Sequence, residues 1–312
     1  MKQFERSKRI SMVHSDIRGP IYQEALRMQR EGIDVLRLNT GNPAVFGFEM
    51  PESVRLALLE NADKAVAYCD VRGMPEAREA ILAYHKSRGV ENIGLDDIFI
   101  GNGVSELVQM VMTAAINNGD EVLIPQPNYS LWSNCVYMAG GQPVFYKCDE
   151  ENEWMPDLDD IRSKITDRTR ALVIINPNNP TGALYSKELL LDMLEIARQN
   201  GLLVFSDEIY DRLVMDGLVH YPTASLAPDL TVVTMNGLSK SHIICGFRCG
   251  WMVVSNSQNA KDLMGGVLAL AAMRLCGNAL TQLVIPAALS DPYSTRAMLV
   301  PGGRLYEQRE AV

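Results

Sequence analysis

Short apolar runs alternate with longer amphipathic stretches along the chain from about residue 96. The apolar runs are rich in Val, Ile, Leu and Phe, as in DIFIG, EVLIP, ALVIIN, LLVF and TVVT. A strand that is buried on both faces reads as such a run, whereas the stretches between the runs repeat at helical spacing. Strands that alternate with helices require crossover connections, so the pattern predicts an α/β fold with a mostly parallel central sheet flanked by helices.

Glycines mark two of the predicted helix ends. VSELVQMVMTAAINN, at residues 104–118, is followed by Gly119, and SKELLLDMLEIARQN, at residues 186–200, is followed by Gly201. Glycine readily adopts the left-handed conformation that often follows a last helical turn. We therefore expect both helices to end at these positions.

Residues 1–45 depart from the alternation. They contain one amphipathic pattern, PIYQEALRMQREGI, before the loop NTGNPAVFGFEMP, and are interpreted as an N-terminal arm or part of a small lobe. Residues 46–290 are expected to form the large domain. PGGRLYEQREAV begins a helical pattern after a Pro-Gly-Gly break, so residues 291–312 are expected to start an interdomain helix that leads to an absent C-terminal domain.

The composition is that of an ordinary globular protein and argues against several classes of function. Hydrophobic residues make up 47% of the chain and charged residues 21%, and the formal net charge of −9 argues against nucleic-acid binding. Without an apolar run of 18 residues or the apolar core of a secretion signal, no membrane contact is expected. Six scattered cysteines and four histidines without ligand spacing predict reduced thiols, no metal site and a cytoplasmic location.

Lys240 lies between the apolar run TVVTMN and the segment HIICGFRCGW, where a solvated lysine is unusual. It follows a predicted strand end, which is where ligands bind in open α/β sheets. A desolvated lysine is a nucleophile toward aldehydes. Arg248, eight residues further on and close to glycines, is suited to bind an anion such as phosphate. An ordinary surface role is the alternative for each side chain.

Two further predicted strand ends carry polar residues. In VIINPNNPTG, the Asn-Pro pairs fix the backbone and place Asn179 toward a ligand, unless the segment is only a tight loop. In LLVFSDEIYD, Asp207 is suited to hold a cationic ring nitrogen and Tyr210 to donate a hydrogen bond to a phenolic oxygen. The alternative for Asp207 is the N-cap of a following helix.

The segment FIGNGVSELV places a glycine turn between a strand and a helix. Such a turn exposes backbone N–H groups, so Gly103, Val104 and Ser105 are suited to bind one phosphate. Glu106 stands where a dinucleotide-binding motif has its third glycine, which argues against a nicotinamide cofactor. Tyr129, in PQPNYSLW, is suited to stack on an aromatic ring, although a tyrosine in such a place is more often part of the core.

Together these motifs resemble those of fold-type I pyridoxal-phosphate enzymes. NTGNP, YCDVRG, GNGVSE, INPNNPTG, SDEIYD and NGLSKSHIICGFRCGW occur in the order and spacing of the class I and II aminotransferases, within their bacterial alanine aminotransferase branch. The resemblance covers essentially the whole chain. It implies the large domain of that fold, pyridoxal 5′-phosphate as the cofactor, and a homodimer with shared active sites.

The resemblance also implies a role for each candidate residue. Lys240 is expected to form the Schiff base with the cofactor and Asp207 to pair with its ring nitrogen. Asn179 and Tyr210 are expected to bond the phenolic oxygen of the ring. The residues expected to hold the phosphate are Gly103, Val104, Ser105, Ser239 and Arg248.

Three more residues take their roles from the resemblance alone or in part. Tyr129 is expected to cover one face of the cofactor ring. Tyr68 resembles the tyrosine that reaches the phosphate of a neighbouring subunit. Gly41, together with Asn179, is expected to lie near the substrate carboxylate.

The reaction implied by the resemblance is transamination between an amino acid and a 2-oxo acid, with alanine, glutamate, pyruvate and 2-oxoglutarate as the expected substrates. In the family, a small C-terminal domain carries an arginine that binds the substrate carboxylate. The chain stops at Val312, before that domain, so truncation and weak activity are expected. The segment SHIIC after Lys240 is more apolar than is usual and leaves the substrate preference open.

Three other functions are weighed against transamination. A pyridoxal-phosphate lyase or decarboxylase would use nearly the same cofactor residues. A non-catalytic, truncated cofactor-binding module would fit the early end of the chain. A nicotinamide-dependent dehydrogenase is disfavoured by Glu106 and by the central lysine.

Overall fold

The computed structural model describes residues 3–14, 19–37, 41–291 and 295–311, and its centre is one mixed β-sheet. The strands within these ranges are β1 (Ile98–Asn102), β2 (Glu121–Gln126), β3 (Gln142–Asp149), β4 (Met155–Pro156), β5 (Thr169–Ile175), β6 (Leu203–Asp207), β7 (Val232–Gly237) and β8 (Cys249–Ser255). Their spatial order is β1-β8-β7-β6-β5-β2-β3-β4.

Parallel pairing joins five neighbouring strands of this sheet, β7, β6, β5, β2 and β3. β8 runs antiparallel to both of its neighbours, β7 and β1, and β4 forms a short antiparallel pair with β3. The prediction of a mostly parallel sheet is confirmed. Because β5, β6 and β7 are parallel neighbours, the segments that follow them emerge at one edge.

Helices cover both faces of the sheet. They are α1 (Pro20–Arg30), α2 (Glu52–Asn61), α3 (Pro75–Ser87), α4 (Val104–Ala115), α5 (Leu131–Ala139), α6 (Leu158–Ser163), α7 (Lys187–Gln199), α8 (Leu238–Ser241), α9 (Lys261–Arg274), α10 (Ala279–Gln282), α11 (Ile285–Ser290) and α12 (Arg304–Glu310). In the parts of the chain that are described, none of the helices has the length and apolar character to cross a membrane.

Two hydrophobic cores lie on opposite faces of the sheet because side chains alternate along each strand. In β5, Leu172 and Ile174 face the core that includes residues of α3 and α7. Val173 and Ile175 face the other core, which includes residues of α4, α5 and α9. Full burial on both faces explains why β5 is apolar at every position from Ala171 to Ile175.

The two predicted helix ends have different outcomes. α7 ends at Gln199, and Gly201 has a φ of +62°, as expected for a glycine just beyond a helix. α4 ends at Ala115, earlier than predicted, because Ile116 is already extended and buried in the core. Gly119, with a φ of +88°, instead lies in the turn that leads into β2.

The N-terminal segment contacts α5 through hydrogen bonds. Asn134 Nδ2 donates to His14 O at 2.6 Å, and His14 N donates to Asn134 Oδ1 at 3.0 Å. The helical patterns predicted for residues 20–33 and near residue 304 correspond to α1 and α12. The domain boundaries at residues 45 and 290 stay predictions. Residues 39 and 40 of the NTGNP motif and Val312 lie outside the described residues.

Candidate active site

A cavity of about 520 Å³ opens where the central parallel strands end. Ten of the predicted site residues line it: Gly41, Val104, Ser105, Tyr129, Asn179, Asp207, Tyr210, Ser239, Lys240 and Arg248. Residues far apart in the sequence meet here because β5, β6 and β7 are neighbours in the sheet. Ligands bind at this type of edge in open α/β sheets.

Lys240 projects from α8, which follows β7 directly. Its Nζ lies 5.9 Å from the centre of the Tyr210 ring, and the described part of the chain offers the amine no hydrogen-bond or ion-pair acceptor. A Cβ on Gly237 would lie 2.7 Å from Cys249 O, so this glycine lets β7 and β8 approach just before the lysine. The sheet therefore fixes the backbone of Lys240, while its amine has no hydrogen-bond or ion-pair partner among the described residues.

Asp207 is the last residue of β6 and is buried. Its Oδ2 accepts a hydrogen bond from Trp132 Nε1 at 3.0 Å, and its Oδ1 accepts a longer one from Ile209 N at 3.3 Å. Burial raises the pKa of Asp207, while the bond from Trp132 and the charge of Lys240 act against this rise. The N-cap alternative is wrong, because among the described residues β6 is followed by turns and not by a helix.

Asn179 and Tyr210 face each other across the cavity wall, with Asn179 Nδ2 donating to Tyr210 Oη at 3.5 Å. Burial and the nearby Asp207 raise the pKa of Tyr210 to about 12, so its hydroxyl keeps its proton at neutral pH. Asn178 Oδ1 accepts from both the backbone N–H and the hydroxyl of Thr181, at 3.3 and 3.0 Å. These bonds fix the turn after β5 and hold Asn179 at the cavity.

The start of α4 and Arg248 form the cationic end of the cavity. Gly103 precedes the helix with a φ of +83°, and a Cβ there would lie 2.4 Å from a guanidinium nitrogen of Arg248. A Cβ on Gly250 would lie 2.6 Å from Val104 N. The two glycines thus allow Arg248 and β8 to lie against the first turn of α4. Arg248 donates to Cys245 O at 3.0 Å and has no carboxylate partner among the described residues.

Glu106 lies in the first turn of α4 but is turned away from the cavity. Its two carboxylate oxygens accept from the backbone and side chain of Asn102, at 2.8 and 3.0 Å. Arg274 Nη1 lies 2.5 Å from Glu106 Oε2. The acid that breaks the dinucleotide motif is therefore neutralised within the protein.

Tyr129 is half-buried and lines the cavity, so it is not a simple core residue. Burial, followed by the nearby Asp207, raises the pKa of its hydroxyl. Tyr68 lies outside the cavity lining, and its side chain is 81% exposed. It is therefore available to a neighbouring molecule and takes no part in the site of its own chain.

Two residues of the cavity region were missed by the sequence reasoning, Trp132 and Asn128. Trp132 is fully buried beneath the cavity and donates to Asp207. A buried tryptophan needs an acceptor for its N–H, which is the signal that could have singled it out. Asn128 lines the cavity, and its buried Oδ1 has no hydrogen-bond partner among the described residues. An unpartnered acceptor of this kind favours a ligand that donates.

A mostly parallel sheet flanked by helices, with a lysine and a buried aspartate at its strand ends, is the architecture of fold-type I transferases. The family model for class I and II aminotransferases matches residues 33–303. The chain belongs to this family, and it is an aminotransferase. The lyase and the non-catalytic module considered from the sequence are not favoured.

Named relatives and a solved structure agree with this assignment. The chain is 51% identical over 310 residues to the glutamate-pyruvate aminotransferase AlaA of Haemophilus influenzae, covering 99% of this chain and 77% of that protein. It is 45% identical to the alanine aminotransferase of Mycobacterium tuberculosis, covering 99% of this chain and 72% of that protein. The crystal structure of an Escherichia coli aminotransferase superposes with a TM-score of 0.97 at 50% identity, covering 99% of this chain and 77% of that one.

Proposed function

We propose that the cavity binds pyridoxal 5′-phosphate and that Lys240 forms the covalent bond to its aldehyde. The observation that carries the proposal is the arrangement of charge in the cavity. A lysine amine that has no described hydrogen-bond acceptor lines the same cavity as the cationic start of α4 with Arg248 and the buried carboxylate of Asp207. The chemistry of these groups fits the phosphate, the aldehyde and the ring nitrogen of that cofactor.

Each group has a stated task in the proposed site. The phosphate is held by backbone N–H groups, hydroxyls and a guanidinium. The N–H groups are those of Val104 and Ser105, the hydroxyls are those of Ser105 and Ser239, and the guanidinium is that of Arg248. Gly103 allows the backbone to approach the phosphate closely. Asp207 would hold a proton on the ring nitrogen, because a buried carboxylate is stabilised by a cation beside it. Tyr210, protonated at neutral pH, and Asn179 donate to the phenolic oxygen, and Tyr129 covers the ring.

Lys240 also acts as the base of the reaction. Bound pyridoxal phosphate supplies a ring that withdraws electrons from the substrate α-carbon. The free Lys240 amine would take the proton from this carbon and hold it as an ammonium. A well-placed acid–base group contributes roughly 10²–10⁴-fold to a rate. Because the amine has no hydrogen-bond or ion-pair acceptor among the described residues, it is free to move between these positions.

Alanine and glutamate, with pyruvate and 2-oxoglutarate, are the proposed substrates. The names of the relatives from H. influenzae and M. tuberculosis support this choice. Gly41 and Asn179 lie on the cavity wall where the substrate carboxylate would bind. The exposed Tyr68 supports a homodimer in which this side chain reaches the phosphate in the partner's site. The cytoplasmic location stays a prediction.

Borohydride reduction tests the proposed function. The protein is loaded with pyridoxal phosphate, reduced and digested, and mass spectrometry is expected to find a pyridoxyl group on Lys240 and none in Lys240→Ala. Lys164→Ala is the matched control, because Lys164 is equally half-buried but bonded to Asp160 and far from the cavity. A label on another lysine in the unmodified protein would refute the proposal.

A half-reaction separates transamination from lyase chemistry. Alanine added to the loaded protein is expected to convert the cofactor to its pyridoxamine form with release of pyruvate. Release of ammonia in place of this conversion would contradict the proposed reaction while leaving the Lys240 assignment intact.

A further inference from the structure

Two half-buried thiols, Cys69 and Cys276, lie together outside the active-site cavity. Cys69 belongs to the irregular segment before α3, and Cys276 belongs to the turn between α9 and α10. Both are free thiols of intermediate exposure, whereas Cys135, Cys148 and Cys249 are buried. No step of the proposed reaction uses either of them.

Hydrogen bonds tie the two segments together on both sides of the thiols. Arg274, two residues before Cys276, donates from Nη2 to Val71 O at 3.1 Å, and Val71 lies two residues after Cys69. Gln282 Nε2 donates to Cys69 Sγ at 3.5 Å and to Gly277 O at 3.2 Å. One amide nitrogen therefore bonds both the sulfur of Cys69 and the backbone next to Cys276.

The pKa of Cys69 also indicates that its thiol lies close to that of Cys276. Burial raises the pKa of Cys69, and the neighbouring Cys276 raises it further. Neither cysteine is part of a helix or a strand, so small backbone movements are open to both. Adjustment of this kind matters because a disulfide requires Cα atoms about 4.4–6.8 Å apart.

We propose that Cys69 and Cys276 are an oxidative modification site that forms an intramolecular disulfide with a low-molecular-weight disulfide such as oxidised glutathione. One thiolate of the pair attacks a glutathione sulfur and expels the first glutathione thiolate. The second protein thiolate then attacks the mixed disulfide and expels the second. The protein loses two electrons and two protons, which leave with two molecules of reduced glutathione.

The disulfide joins segments that are far apart in the sequence. It closes a long loop that contains β1 to β8, and closure of a long loop restricts the unfolded chain most strongly. It also fixes the segment that carries the exposed Tyr68, next to Cys69. Oxidation is therefore expected to raise the thermal denaturation midpoint and to slow proteolysis in the segment around residues 66–73.

Peptide mapping after incubation in glutathione buffers tests this proposal on the full-length protein. The expected product of oxidised glutathione is a peptide pair linked through Cys69 and Cys276, with the protein lighter by two hydrogens. Cys276→Ser is expected to carry glutathione on Cys69 in place of the link and to lose the increase in denaturation midpoint.

Cys245→Ser is the matched control, because Cys245 is also half-buried but stands apart from the pair. This variant is expected to form the same link as the unmodified protein. The proposal is overturned if Cys69 and Cys276 each acquire glutathione without being linked. It is equally overturned if they stay reduced in a buffer that modifies Cys245.

Discussion

Replacement of Trp132 by Phe tests the contact on which the charge of Asp207 depends. Trp132 is fully buried, and its Nε1 donates to Asp207 Oδ2 at 3.0 Å. Phenylalanine keeps an aromatic ring in the core but removes the donor. Among the described residues, the one other hydrogen bond to this carboxylate is the longer one from Ile209 N at 3.3 Å.

The size of the effect follows from the charge of the acceptor. A buried hydrogen bond to a charged group contributes about 1.5–3 kcal/mol. Burial already raises the pKa of Asp207, and the bond from Trp132 is the largest influence that lowers it. Without this bond the carboxylate binds its proton more tightly and pairs less well with a protonated ring nitrogen. We expect the affinity for pyridoxal phosphate to fall roughly 10- to 150-fold.

Trp251→Phe is the matched control for this change. Trp251 is 1% exposed, and its Nε1 donates to His85 Nε2 at 3.1 Å, in the core on the other face of the sheet. Both variants lose the same volume and one buried hydrogen bond, so both are expected to unfold at lower temperature. Only the Trp132 variant is expected to bind the cofactor more weakly when the cofactor-free protein is titrated and followed by absorbance. Equal dissociation constants for the two variants would refute the role given to Trp132.

Two further predictions concern the ends of the cavity. Gly103→Ala places a Cβ 2.4 Å from the Arg248 guanidinium, so it is expected to weaken pyridoxal-phosphate binding. Gly119→Ala is the control, because Gly119 has a similar φ of +88° but no atom within 4 Å of the added Cβ. It is expected only to lose about 1–3 kcal/mol of stability. Equal binding by the two variants would contradict the steric argument. Burial raises the pKa of Asp207 above its ordinary value of about 3.9. As the pH rises, the Asp207 carboxyl therefore loses its proton first in the unfolded chain. The free energy of unfolding falls until this carboxyl ionises in the folded protein as well. Asp207→Asn removes this loss, so the cofactor-free variant is expected to gain thermal stability over the unmodified protein as the pH rises above about 4; a stability difference that does not change with pH would count against it.

The positions of the site residues could be predicted because they depend on a simple property of parallel sheets. Lys240, Asp207 and Asn179 each follow an apolar run, and the ends of parallel neighbours meet at one edge. The sequence alone is enough for this inference once the runs are recognised as strands. The same reasoning predicts the cationic end of the cavity, because the glycine turn before α4 exposes backbone N–H groups beside this edge of the sheet.

The contacts between elements could not be predicted in the same way. Trp132 and Asp207 are 75 residues apart, and their bond depends on how the first turn of α5 lies against β6. The early end of α4 depends on the burial of Ile116, which a pattern of helical spacing does not report. The N-cap alternative for Asp207 is wrong because the chain after β6 turns, and Asp211 in this turn bonds Tyr84 and pairs with Arg88.

The turn Gly101-Asn102-Gly103 before α4 resembles part of the motif of dinucleotide-binding proteins, but its glycines have a different role. In those proteins the glycines let the backbone approach a pyrophosphate. Here a Cβ on Gly101 would lie 2.7 Å from Leu107 Cγ and 2.9 Å from Glu106 Oε2. The first glycine therefore makes room for the Leu107 side chain and for the Glu106 carboxylate, which Arg274 neutralises. The second, Gly103, makes room for Arg248. Because Glu106 is paired away from the cavity, its charge does not offset the positive start of the helix. Glu106, which argues against a nicotinamide cofactor, is therefore compatible with the binding of a single phosphate at the same turn.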